Sequence, residues 1–234
     1  MPNNAYGFGE KLNYKVGYKF ITAGTGYFHI KPDPVHTNGR KCYDVQFQVK
    51  SLESLEWIYK VRDSYSTLLD VDGIFPWKFE QHIREGNYRR DFVAKFDQVR
   101  HKAITKDSVY DVPPYVHDIV SAFYYVRTLD LGGMPKDTIF YLQNFFDDST
   151  YTLGVRILGK QTVEVEAGKF RCTVIEPLVV KGGLFQSEGR IIIWMTDDAR
   201  KIPVKVSTKV VIGYVSAELT HYSGTRGSID AKIE

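Results

Sequence analysis

Gln161-Thr-Val-Glu-Val-Glu-Ala-Gly-Lys-Phe-Arg-Cys-Thr-Val174, Arg190-Ile-Ile-Ile-Trp-Met195, Ile202-Pro-Val-Lys-Val-Ser-Thr-Lys-Val-Val-Ile212 and Tyr214-Val-Ser-Ala-Glu-Leu219 decide the fold of this chain. β-Branched residues dominate these pieces, and such side chains suit the pleated, half-buried surface of a strand. Gly168, Gly182-Gly183, Asp197-Asp198 and Gly213 separate them, the punctuation of successive antiparallel strands. No catalytic motif lies in the stretch. It predicts an architecture, and function has to be sought in what that architecture encloses.

The same period of two recurs toward the N-terminus. From Lys11 to Phe20, Leu12, Tyr14, Val16, Tyr18 and Phe20 share one face, while Lys11, Asn13, Lys15, Gly17 and Lys19 share the other. Thr22-Ala-Gly-Thr-Gly26 reads as a turn, after which Phe28 and Ile30 restart a strand that Pro32 and Pro34 end. Gly24-x-Gly26 opens a strand and not a helix, so a dinucleotide site is excluded on context. Further strands are predicted from Cys42 to Lys50, Val61 to Leu69, Phe75 to Ile83, Tyr88 to Phe96, Val99 to Thr105, Asp137 to Phe146, Tyr151 to Leu158, Gln161 to Glu166 and Phe170 to Val180. Between Ser51 and Tyr59 the spacing of Leu52, Leu55 and Ile58 predicts a short helix. A longer one is predicted from Tyr115 to Leu129 behind Pro113-Pro114, because a proline at a helix start lacks an N–H that would be unpaired there anyway. The expected fold is mainly β: one curved antiparallel sheet, half-barrel or sandwich-like, packed on one longer helix with one short helix beside it. Residues 9–222 form a single domain in this reading, with an N-terminal tail at 1–8 and a polar, frayed C-terminal tail at 223–234.

Length and composition agree. A chain of 234 residues, a quarter of them charged, is long enough to bury a substantial core and too apolar to be disordered as a whole. Its 31 Lys and Arg against 28 Asp and Glu are dispersed singly along strands, which leaves no footprint for nucleic acid. No run of 18 apolar residues is present to span a membrane as a helix. Met1-Pro-Asn-Asn-Ala5 reads as an initiator methionine ahead of a polar mature N-terminus, so removal of an export signal is expected. Cys42 and Cys172 both sit in strand patterns. Two buried thiols are the expectation for them, with a Cys42–Cys172 bridge as the alternative.

Specific chemistry is hard to find. The six histidines (His29, His36, His82, His101, His117, His221) are scattered, no serine sits in a Gly-x-Ser-x-Gly elbow, and no His or Cys spacing suits zinc. The paired carboxylates Asp147-Asp148 and Asp197-Asp198 fall at strand ends, where aspartate commonly makes turns. His117 and Asp118 are adjacent on the predicted helix and point about 100° apart, so they read as a surface histidine and an N-terminal charge. No catalytic, cofactor or metal residue is assigned.

Aromatic content is the informative excess, with 16 Tyr and 14 Phe. A curved sheet turns alternate residues inward, and an interior that a helix does not fill can hold an apolar ligand. Tyr18, Phe47, Tyr65, Phe123, Tyr124 and Trp194 are the predicted inward set; the competing reading is that these rings pack on one another. Arg127 extends the apolar stripe of Val116, Ile119, Val120 and Phe123. It either snorkels from the helix end toward the terminal carbonyls, the preferred reading, or enters a cavity to meet a carboxylate or ligand head group.

Several stretches in order resemble domain-of-unknown-function family 3108, from exported proteins of Gram-negative bacteria. They are Gly9-Glu-Lys-Leu-Asn-Tyr14 with Ala23-Gly24, Val61-Arg-Asp-Ser-Tyr65, Glu85-Gly-Asn-Tyr88, Val116-His-Asp-Ile-Val-Ser-Ala-Phe-Tyr-Tyr-Val-Arg127, Gly168-Lys-Phe-Arg-Cys172, Trp194-Met-Thr-Asp-Asp-Ala-Arg-Lys-Ile-Pro203 and Gly213-Tyr-Val-Ser-Ala-Glu-Leu219. The likeness runs from about Gly9 to Tyr222 and brings no catalytic residues with it. In outline the chain is also similar to the lipoprotein-carrier half-barrels of the periplasm, from which it departs in having one clear helix. The resemblance implies a periplasmic or otherwise exported protein. The leading expectation is non-catalytic binding of a lipid or acyl chain. A cell-envelope scaffold that pairs with a protein partner is the alternative, and a hydrolase with an unrecognised site comes third.

Overall fold

The computed structural model describes residues 3–18, 21–178, 190–209 and 214–233. Lys19 and Phe20, Val179 and Val180, the Gly182-Gly183 turn, Val210 to Ile212 and Gly213 lie outside the described residues. Alternating sequences become strands as expected: β1 (Lys11–Tyr18), β2 (Ile21–Ile30), β3 (Val35–Thr37), β4 (Arg40–Ser51), β5 (Arg62–Asp70), β6 (Pro76–Glu85), β7 (Tyr88–Asp97), β8 (Lys102–Ile104) and β9 (Val109–Asp111). One helix, α1 (Ile119–Val126), separates these from β10 (Ile139–Phe146), β11 (Ser149–Val165), β12 (Gly168–Leu178), β13 (Ile191–Thr196), β14 (Pro203–Lys209) and β15 (Tyr214–Ser223).

All fifteen described strands join one antiparallel sheet, in the order β10-β11-β12-β13-β14-β15-β1-β2-β4-β5-β6-β7-β8-β9, with β3 added beside β4. β1 sits at the centre, so chain start and chain end meet there: Tyr14 lies opposite Leu219, and Tyr18 opposite Val215. The sheet curves far enough for its two edges to approach. Tyr110 of β9 meets Phe145 of β10 at 5.5 Å between ring centres. Backbone pairing does not close the ring. Instead His117 donates its N–H to Gln143 O and accepts from Phe145 N, covering part of the β10 edge.

Several expectations are corrected. The helix spans eight residues rather than the fifteen predicted. His117 is taken up in the edge pairing and Val116 is buried in the main core just ahead of it, so the apolar stripe that suggested helix begins before the helix does. Between Ser51 and Tyr59 one 3-10 turn forms, Glu53–Leu55. The predicted turn at Thr22–Gly26 is strand, because the missing side chains let two backbones approach: a Cβ on Gly24 would stand 2.5 Å from Lys50 O. Gln161 to Glu166 is no separate strand, since β11 runs through Gly159 (φ 109°) with a register shift. Both tails are packed: Ala5 and Tyr6 are buried in the main core, and Lys232 pairs with Phe170. Asp147 and Asp148 form a tight hairpin turn, with φ of 54° and 58°, as their turn reading requires. Cys42 and Cys172 are free and buried.

The core lies on the concave side. Val120 and Tyr124 of α1 join the cluster of Ile30, Val45, Leu69, Phe79, Phe96 and Phe145, while Ala122 and Val126 join that of Val155, Ile157, Ile175, Ile193 and Met195. On the convex side the far half of β11 folds over β12 and β14, giving a second small core of Phe170, Cys172 and Val204. This part is locally a sandwich.

Candidate functional site

Register places four of the predicted residues on one surface. Tyr18 shares its face of β1 with the buried Leu12 and Tyr14, and Phe47 lies opposite Phe28 on one side and Tyr65 on the other. Phe123 enters from α1. Phe28, which the sequence reading missed, is the hub: it stacks 4.4 Å from Phe47 and 5.2 Å from Phe123, both at 16°. Phe47 continues to Tyr65 at 5.4 Å. All four ring carriers are half-buried. The row continues past Tyr65 along the same face of the sheet, through Gln81 to Phe92.

The helix does not cover this row's outer end. Inward positions near the helix, such as Tyr14, Ile30, Val45 and Phe79, are buried; those further along the same strands, such as Val16, Tyr18, Gly26, Val49 and Ile83, are half-buried. The concave face is therefore less covered toward the end carrying the β6–β7 turn, where Ser51, tied to Val61, and Asp63 on the same face are nevertheless buried. Burial pushes the phenols of Tyr65 and Tyr151, on this face, up to about 12, so both stay neutral hydrogen-bond donors through the physiological range.

Three predicted residues land elsewhere. Tyr124 is fully buried, its ring set edge-on to Tyr6 at 4.8 Å. Arg127 does not snorkel: it has no exposed surface and makes a bidentate pair with the buried Glu10, Nη1 to Oε1 at 2.6 Å and Nη2 to Oε2 at 2.9 Å. Nη2 also donates to Arg200 O at 3.1 Å, and the guanidinium sits 5.1 Å from the rings of both Tyr6 and Tyr124. Burial alone would lower the Arg127 pKa, yet the Glu10 carboxylate holds it above its ordinary value. Of the alternative, entry into a cavity to meet a carboxylate or a ligand head group, the structure shows the carboxylate contact, with Glu10. Trp194 points to the convex face. Its neighbours Ile193 and Met195 are in the concave core, while its Nε1 donates to Gln161 Oε1 at 2.8 Å.

The acidic candidates have structural occupations. Asp118 is the N-cap of α1: Oδ1 accepts from the backbone of Val120 and Ser121, and Oδ2 from Thr67 Oγ1 at 2.7 Å. Burial raises its carboxyl to about 6 against those hydrogen bonds. His117 is buried rather than on the surface, and burial lowers its imidazole to about 4. Asp197 accepts from Lys160 Nζ and Thr173 Oγ1, and Asp198 from Thr196 Oγ1 and the backbone of Arg200, Lys201 and Ala231. No group of three or more His, Cys, Asp or Glu among the described residues is placed to hold a metal ion.

Two open clefts lie away from the ring row. One, of about 520 Å³, is polar and is lined by Arg127, Asp130, Lys160, Asp197, Asp198 and Lys201 among others. The second, of about 680 Å³, lies on the convex side between Gln161, Trp194, Lys205 and Tyr214. Half-buried rings and neutral phenols on the concave face suit an apolar chain with few polar atoms. The first cleft is polar and crossed by the Lys160–Asp197 ion pair, whereas the second mixes Val163, Trp194 and Tyr214 with the Lys205–Glu218 pair.

Over residues 13–220 the sequence matches the family described as a protein of unknown function, DUF3108. No curated protein matches it. Among solved structures, a beta-barrel-like protein of domain-of-unknown-function family DUF1849 from Brucella abortus is similar over 92% of this chain and 97% of its own, with TM-score 0.57 at 11% identity. That likeness shows the fold. A DUF1089-family protein from Pseudomonas aeruginosa has TM-score 0.42 at 9% identity, covering 80% of this chain and 90% of its own. A proposed lipoprotein from Parabacteroides distasonis has TM-score 0.40 at 8% identity, covering 94% and 97%. These two carry no argument about this chain.

Proposed function

The chain belongs to the DUF3108 family, and from that premise we propose that it binds, without catalysis, an apolar or amphipathic component of the bacterial envelope, such as a lipid acyl chain, on its concave face. The observation that carries the reading is the half-buried ring row Phe123–Phe28–Phe47–Tyr65 at the less covered end of a curved sheet. Rings at that depth supply apolar contact without closing the surface. Burying about ten methylenes there would yield roughly 8 kcal/mol gross, and association costs of about 4 kcal/mol or more leave a dissociation constant no tighter than about the millimolar range. The exported, periplasmic setting that the family resemblance implies is part of the same proposal, and fractionation of cells making the native gene product tests it.

The ligand test is displacement of a fluorescent acyl probe. Saturable binding to the native protein is expected, with loss on Phe47→Asp, which places a charge in the middle of the row, and no change on Trp194→Ala. Absence of saturable binding for any acyl chain, or sensitivity to Trp194 instead of Phe47, overturns the reading.

A further inference from the structure

At the less covered end of the sheet the segment after β4 carries three consecutive large side chains to the outside: Trp57 is 81% exposed, Ile58 63% and Tyr59 54%. Side chains of this size are usually covered, and a run of them on a surface marks an interaction site. Hydrogen bonds fix the segment among its neighbours. Leu52 N donates to Ala23 O, tying it to β2, and Gly86 N donates to Lys60 O, tying it to the β6–β7 turn. The Tyr59 ring lies over Gly86, where an added Cβ would come within 3.0 Å of it. Ile21 (62% exposed) opens β2 and Tyr88 (52%) opens β7, so the five exposed side chains all stand at the same end of the sheet and make up its apolar rim.

Charge selects the partner. Lys50, Arg89 and Lys209 are exposed at this same end and have no ion pair among the described residues. Glu56 is already held by Lys60 and Arg62, which leaves Glu53 as the acid of the segment without a cation among the described residues. An apolar rim of tryptophan, tyrosine and isoleucine flanked by unpaired cations has the composition that seats in the headgroup layer of a bilayer, where amphipathic rings and basic side chains are both favoured.

We propose that this rim docks the protein onto an anionic phospholipid surface, with Trp57, Ile58 and Tyr59 entering the interface. The inference stands on the rim alone and does not require a bound acyl chain.

Flotation with vesicles of mixed phosphatidylcholine and phosphatidylglycerol tests it, alongside vesicles of phosphatidylcholine only. Trp77 is buried and Trp194 half-buried, so the exposed Trp57 should dominate any blue shift of emission on docking. The expected result is binding to the anionic vesicles that weakens with salt, as exposed charges are screened. Each substitution Lys50→Glu, Arg89→Glu or Lys209→Glu should lower the partition coefficient about fivefold or more. Trp57→Ser should lower it on the order of tenfold. These positions are exposed, so the variants should keep the native melting temperature. Equal binding to neutral vesicles, no effect of Trp57→Ser, or a rim-dependent dimer with no vesicle binding overturns the proposal. Displacement of the acyl probe in solution should survive all four substitutions, so failure of the rim and failure of the ligand reading are read separately.

Discussion

Glu10→Ala removes the partner of a fully buried guanidinium, and the structure sets the cost. Among the described residues Arg127 makes three hydrogen bonds, two to Glu10 and one to Arg200 O. The substitution leaves one of them and an uncompensated charge with no exposed surface. Breaking a buried pair from one side costs about 3–5 kcal/mol. Arg127 also borders the polar cleft of about 520 Å³, so water entering there pulls the cost toward the lower bound. For a chain of this size each kcal/mol shifts the melting temperature by roughly 2–4 °C, so a fall of about 6–20 °C is expected. Glu10→Leu combined with Arg127→Met removes both charges and should stand within about 2 kcal/mol of the native protein, because desolvation of the pair is then no longer required. Urea denaturation of the two single variants and the double variant measures the coupling, expected to be at least ~2 kcal/mol. A loss below 1 kcal/mol for Glu10→Ala, or additive single effects, would refute the view that this pair anchors the chain start to the helix end.

Other outcomes follow from single groups. Asp118, raised from 3.8 to about 6, makes the folded state hold the extra proton between those values, so its contribution to stability falls as pH rises through that window. His117, lowered from 6.5 to about 4, does the reverse, and its contribution falls as pH drops from 6.5 toward 4. The two oppose each other: Asp118→Asn should make the protein lose up to about 3 kcal/mol on acidification from pH 6.5 to 4, whereas His117→Gln should make it gain, as read by denaturation across pH. Burial raises the thiols of Cys42 to about 11 and Cys172 to about 12, so neither should react with a thiol reagent in the native state, and both should react in denaturant. Gly24→Ala should cost about 1–3 kcal/mol by forcing β2 from β4, and a neutral effect in thermal denaturation would contradict the close approach to Lys50 O.

Strand alternation made much of the architecture legible before any coordinates. Along most of β1, β4 and β5 apolar and polar residues alternate, with both faces buried only at Cys42–Tyr43 and Leu69–Asp70, so Leu12, Tyr14, Val45, Phe47 and Tyr65 declare their side by period alone. The same reasoning fails for Trp194. β12 is buried at five successive residues, Cys172 through Glu176, with Thr196 and Met195 beside them, because the folded-over half of β11 covers the convex face as well. With both faces apolar, alternation carries no sign, and a tryptophan beside three isoleucines looks inward. The predicted helix is too long for a related reason: Val116 is buried in the main core beside the edge-paired His117, and its burial extends a stripe that the helix itself begins at Ile119. Glu10 could not be found from local pattern. It stands 117 residues from Arg127, and what hinted at it was a charge on an apolar stripe that required an anion somewhere. Phe28 reads as strand but not as inward, because Thr22–Gly26 has a turn-like composition that hides its phase with Gly24 and Gly26 until a close backbone approach converts it to strand.

The central claim is that the concave ring row is where an apolar chain binds. Photo-crosslinking with a diazirine-bearing fatty acid, followed by peptide mapping, tests it most directly. Saturable adducts confined to peptides containing Phe28, Phe47, Tyr65 or Phe123, competed by unlabelled fatty acid, are the predicted result. Adducts that do not saturate, or that map to Trp194 and the convex cleft, would contradict it.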